Sequence, residues 1–114
     1  MTKDNCRIVV LYDGIGHHLE KMAQAVVQGA SLVDRTEVSL TEIRTANQRD
    51  ISEADALILG SPNWSGMSGS MKLWLDEQGD LWEDGTLAGK IGAAFTSGRG
   101  RHSGLEFTLL SIIH

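Results

Sequence analysis

Cysteine and proline are nearly absent, with one of each among 114 residues. A lone thiol, Cys6, builds no disulfide framework, which fits a reducing compartment and points to the cytoplasm. Placed just ahead of a strand, Cys6 reads as structural. Aromatic residues make up only 5 %, and cations are outnumbered, 10 Lys and Arg against 15 Asp and Glu, for a formal net charge of −5. Binding a nucleic-acid backbone takes clustered cations, so nucleic acid is not expected as a partner. Long apolar runs are missing as well. Nothing approaches the roughly 18 residues needed to span a bilayer, and the polar N-terminus does not resemble a signal peptide, so no membrane partner is expected. What is present, 41 % apolar and 22 % charged residues, is the composition of a globular chain, read as one domain over 1–114.

The organising stretch is Asp55–Asp76. It opens on the apolar run Ala56–Leu59, short enough for a strand buried on both faces. Small and turn-forming residues follow from Gly60 to Ser70, including the single proline, Pro62. Met67, Met71, Trp74 and Leu75 then recur at helical spacing, which predicts a helix over Ser68–Gln78 with Trp74 in the core. In an open parallel sheet, a turn of this kind lies at the carboxyl end of a strand, where ligands bind. A plain strand-to-helix connection takes only about 2–6 residues, and this one is longer.

Elsewhere the pattern repeats. Arg7–Tyr12 is a β-branched strand, broken by Asp13-Gly14-Ile15-Gly16-His17-His18. Apolar positions 19, 22, 23, 26, 27 and 30 form one helix face, closed by an Asp34-Arg35 turn. Val38 and Leu40 alternate with polar residues, as on a half-exposed edge strand. Thr45–Ser52 carries at most a short helical turn. Ile91–Thr96 is a fourth strand, followed by the Gly-rich loop Thr96–Gly104. These units imply α/β architecture with parallel pairing and right-handed crossovers. An edge strand 2 with interior strands 1 and 3 agrees with the order 2-1-3-4. The apolar residues Leu109, Leu110, Ile112 and Ile113 stop without a cap, so a fifth strand is expected to be missing and the domain C-terminally incomplete.

Three segments resemble the flavodoxin-like NAD(P)H:quinone oxidoreductases of the tryptophan-repressor-binding-protein (WrbA) type. They are Gly60-Ser61-Pro62 through Gly66-Met67-Ser68, Leu75-Asp76 through Gly79-Asp80-Leu81-Trp82, Gly85, Leu87 and Gly89-Lys90, and Phe95-Thr96-Ser97 through His102, Gly104 and Glu106. The resemblance implies a flavodoxin-like three-layer sandwich, flavin mononucleotide (FMN) as cofactor, NAD(P)H as electron donor, a quinone or similar acceptor, and a homo-oligomer. It assigns the FMN phosphate to the first loop, at Asp13, Gly14, Ile15, Gly16, His17, His18 and Leu19. Pro62, Asn63, Trp64, Ser65 and Gly66 would lie along the ring, and Thr96, Ser97, Gly98, Arg99 and Gly100 would close its other side. No side chain need act as acid or base, because the flavin carries the chemistry.

The first loop departs from the Ser and Thr hydroxyls that the family offers a phosphate. Asp13 would set a negative charge near a dianion unless it points away. His17-His18 makes a poor metal pair, since adjacent side chains diverge and no cluster completes a shell. Trp64 stands between flavin stacking and packing on its own loop, Trp82 between a neighbouring subunit's site and simple packing, and Arg99 and Arg101 between anion ligands and solvated charges. A cofactor-less binding or assembly module, or a non-catalytic remnant, is the alternative to the enzyme.

Overall fold

The computed structural model describes residues 5–14, 18–62, 69–78 and 90–97. In chain order these form β1 (Cys6–Tyr12), α1 (His18–Ser31), β2 (Thr36–Glu42), α2 (Gln48–Ser52), β3 (Ala56–Pro62), α3 (Gly69–Asp76) and β4 (Ile91–Ser97). All strand pairs are parallel, in the order β2-β1-β3-β4. Residues 98–114, and with them the expected apolar C-terminal segment, lie outside the described residues.

β1 is the spine because its side chains are apolar on both faces. Val10 and Tyr12 point to one side and join Leu19 and Ala23 of α1 and Phe95 of β4. Val9 and Leu11 point to the other, against Ile51 of α2 and Met71 and Trp74 of α3. The alternation of a strand thus feeds two cores, one under each helical layer. Trp74 is buried among them, as its helical position predicts. Met22, by contrast, is 38 % exposed, because it lies on the flank of the α1 stripe whose centre Leu19 and Ala23 occupy.

Helix ends are closed by identifiable bonds. After α1, the Thr36 hydroxyl donates to the carbonyls of Val33 and Ala30, and Arg35 takes a positive φ of 61°. α2 has only five residues but begins with a capping box. The Asp50 N–H donates to Asn47 Oδ1, and the Asn47 N–H donates to Asp50 Oδ2. α3 is shorter than its periodicity predicts, ending at Asp76. Turn bonds from Glu77 and Gln78 to Leu73 and Leu75 tighten the exit, and the Gln78 amide donates to the Trp74 carbonyl. Lys90 bridges between elements: its ammonium donates to the carbonyls of Ser52 and Ala54, tying the approach to β4 to the end of α2.

The central run differs from expectation in one respect. Ala56–Leu59 are half-buried, and full burial in β3 begins only at Gly60 and Ser61. The reason lies next door: Leu57, Ile58 and Leu59 pair with Gly92, Ala93 and Ala94, which are too small to shield them.

Candidate functional site

The carboxyl ends of β1, β3 and β4 meet on one rim of the sheet. β1 hands over to α1 and β2 on one side, while β3 lies on its other side, so the gap between β1 and β3 is where the connections diverge. Ligands of open α/β sheets bind at such a point. The Asp13 N–H donates to the Gly60 carbonyl at 3.0 Å, carrying the β1–β3 ladder past the end of β1. Across the next gap, the Thr96 hydroxyl donates to the Ser61 carbonyl at 2.6 Å. Gly60 is glycine for a visible reason. A Cβ at that position would stand 2.2 Å from Phe95 Cζ, so the ring of β4 fills the space above the β3 backbone.

Asp13, Gly14, Pro62, Thr96 and Ser97 therefore share this rim, and His18 opens α1 beside it. Leu19 is different. Its side chain is buried in the core beneath α1, so toward a ligand it has only its backbone to offer. Ile15, Gly16, His17, Asn63, Trp64, Ser65, Gly66, Gly98, Arg99 and Gly100 lie outside the described residues, as do Trp82 and Arg101.

Asp13 turns inward. Its side chain is fully buried, and Arg44 Nη2 donates to Asp13 Oδ1 at 3.1 Å. Arg44 also binds Glu42, through Nη1 and through its backbone N–H. Glu42 in turn accepts the Gly14 N–H at 2.9 Å. A chain of charge thus runs from Asp13 through Arg44 to Glu42 and back to Gly14, with one guanidinium shared by two carboxylates. Burial works against the Arg44 charge, but the Asp13 hydrogen bond and the nearby Glu42 and Asp13 carboxylates outweigh it and raise its pKa. Tyr12, beneath the same loop, is shifted upward by burial first and then by Glu20 and Glu42, so its phenol stays neutral at physiological pH.

Glu42 and Arg44 are absent from the residues singled out in the sequence, because they lie at and just past the end of an edge strand distant in the chain from the first loop. Only the fold brings them here: Glu42 pairs in register with Tyr12, the last residue of β1. A recess of about 450 Å³ opens beside Arg44, between the β2–α2 connection and α3, lined also by Ile43, Asn47, Trp74 and Gln78. Among the described residues, no group of three or more His, Cys, Asp or Glu side chains is placed to hold a metal ion.

These groups fit a planar, phosphorylated ligand. The small residues Gly14, Thr96 and Ser97 line the described part of the rim, and the buried Asp13 charge is matched by Arg44 rather than aimed outward. Among the described residues, Glu42 is set against a phosphate, since it already holds the Gly14 N–H.

Known proteins agree with this architecture. The chain is 34 % identical to an NAD(P)H dehydrogenase (quinone) of Geotalea daltonii and 33 % identical to one of Acidithiobacillus ferrooxidans, with 92 % of the chain aligned in each case. It spans 63 % of the length of both relatives. Its fold superposes on a WrbA-like flavodoxin of Agrobacterium tumefaciens with a TM-score of 0.84 at 24 % identity, covering 96 % of this chain and 70 % of that one. Against flavodoxin 1 of Bacillus cereus the TM-score is 0.74 at 19 % identity, covering 94 % and 71 %. Residues 14–112 match the family described as NADPH-dependent FMN reductase, and the chain belongs to that family.

Proposed function

We propose that this chain binds FMN on the β1–β3–β4 rim and acts as an NAD(P)H-dependent reductase of quinones. The observation that carries the reading is the convergence of the carboxyl ends of β1, β3 and β4 on one rim, at the switch point between β1 and β3. Gly14 and the residues leading into α1 would hold the phosphate, where backbone N–H groups and the helix dipole favour an anion. Pro62 with the segment after it, and Thr96 and Ser97 with the segment after them, would flank the ring. The flavin supplies the two-electron hydride chemistry, and the protein orients it and shapes access to it. No described side chain needs to exchange a proton. Family membership supports the cofactor, and the quinone relatives support the acceptor.

The test is a titration with FMN followed by flavin absorbance and fluorescence, then NADH or NADPH oxidation with a quinone under anaerobic conditions. Saturable quenching and quinone-dependent oxidation are expected. A protein that stays colourless in excess FMN, with no quenching, contradicts the proposal.

An assembly role is the second reading, favoured by β4. It is an outer strand of the described sheet, and Ile91, Gly92 and Ala93 along it are exposed. Self-association would cover that edge, and a homo-oligomer is part of both readings. Light scattering decides it, since a monomer at all concentrations leaves the edge uncovered. Among the described residues no helix is long and apolar enough to cross a membrane. The cytoplasm is the compartment in which the lone Cys6 and an NAD(P)H donor are both at home.

A further inference from the structure

Resting on the flavin reading above, we propose that Glu42 governs how this chain distinguishes phosphorylated from unphosphorylated flavin. It does so by occupying the Gly14 N–H that an incoming phosphate would take. A carboxylate and a phosphate are both anionic acceptors, and each draws on the same donors at a loop that leads into a helix. Here the carboxylate comes from the protein itself. β2 and β1 are in register at Glu42 and Tyr12, which sets the Glu42 side chain beside Gly14, and Glu42 Oε2 accepts from the Gly14 N–H at 2.9 Å.

Arg44 holds that carboxylate in place while also pairing with Asp13. Two carboxylates share one guanidinium, so Arg44 is not Glu42's alone, and the Glu42 carboxylate stands against an approaching dianion. The two acids are not equivalent. Asp13 is fully buried, whereas the Glu42 side chain keeps 21 % of its exposure and lies at the solvent edge. Glu42 is therefore the one that can turn outward and free the Gly14 N–H, leaving Arg44, 49 % exposed, beside the arriving phosphate. Glu42 is packed against Gly14 as well as bonded to it: a Cβ on Gly14 would meet Glu42 Cγ at 3.1 Å and Glu42 Oε2 at 3.2 Å. A ligand oxygen and the Glu42 carboxylate cannot both occupy that position. Riboflavin, which has the same ring without the phosphate, does not enter this competition.

The experiment titrates the whole chain and its Glu42→Gln and Glu42→Ala variants with FMN and with riboflavin, following flavin fluorescence. Thermal melts verify that each variant is folded. Loss of the competing charge is expected to tighten FMN binding by roughly tenfold or more, while riboflavin binding stays within about twofold. In the parent protein, the Gly14 amide resonance in a ¹H–¹⁵N spectrum shifts on addition of FMN and holds still with riboflavin. Equal shifts for both flavins, unchanged FMN affinity in both variants, or a Gly14 amide indifferent to bound FMN each overturn the role of Glu42 and leave the flavin reading standing. Absence of flavin binding by all three proteins overturns that reading and this inference together.

Discussion

The Phe95 ring lies directly over the Gly60 backbone, so closely that a methyl group at residue 60 would come within 2.2 Å of Cζ and 2.4 Å of Cε2. Both residues are buried, and Gly60 and Phe95 pair in register between β3 and β4. This contact locks the two strand ends that form the middle of the rim. It places the ring of one strand where the other strand has no side chain.

Gly60→Ala is therefore expected to be overpacked, costing about 1–3 kcal/mol of stability in urea denaturation. Adding Phe95→Leu should recover part of that loss, because the smaller side chain vacates the space the methyl needs. Additive losses in the double variant would show that the ring and the glycine do not compete.

Arg44 neutralises a buried carboxylate while itself remaining half exposed. Truncation in Arg44→Met removes a charged partner of the buried Asp13 carboxylate, and solvent at the guanidinium end moderates the cost to about 1–3 kcal/mol. Removing the carboxylate charge as well, in Arg44→Met with Asp13→Asn, should return part of that stability. Denaturation of the two single variants and the double variant measures the coupling. A coupling of zero would mean that the pair contributes nothing.

Tyr12 is the chain's one tyrosine, so its ionisation is readable in isolation by phenolate absorbance near 295 nm. Burial and the neighbouring carboxylates raise its pKa above the ordinary 10.0. The sign follows from linkage. Below pH 10 both folded and unfolded phenols are protonated and Tyr12 adds no slope. Above it the unfolded chain ionises first, and stability falls until the folded phenol ionises too. The folded midpoint should therefore lie above 10.0, and Tyr12→Phe should flatten the alkaline loss of stability. A folded midpoint at or below 10.0 contradicts the buried geometry.

Gly29 sits inside α1 with nothing within 4 Å of where a Cβ would be. Gly29→Ala should stabilise the chain by about 0.5–1 kcal/mol, since alanine loses less backbone freedom in a helix and meets no neighbour. The thermal midpoint reads this directly. A lower midpoint would mean that the exposed face of α1 is not free.

Much of the scaffold was legible because it is written locally. The β-branched run at Ile8, Val9 and Val10 announces β1, the recurrence from Leu19 to Val27 announces α1, and the alternation at Val38 and Leu40 marks β2 as an edge. The short α2 was hardly visible. With one buried apolar side chain, Ile51, it has no periodicity to speak of, and its capping box at Asn47 and Asp50 marks a start without a length.

By itself, then, the sequence determined the four strands and the longer helices, α1 and α3, since alternation and helical spacing depend only on neighbours in the chain. It also placed glycine-rich stretches after β1, β3 and β4. The tertiary structure alone decided that Arg44 meets Asp13, that Glu42 takes the Gly14 N–H, and that Phe95 covers Gly60. Each of those contacts joins residues brought together only by parallel strand register. Register is set by the packing of the whole sheet, and no local pattern records it.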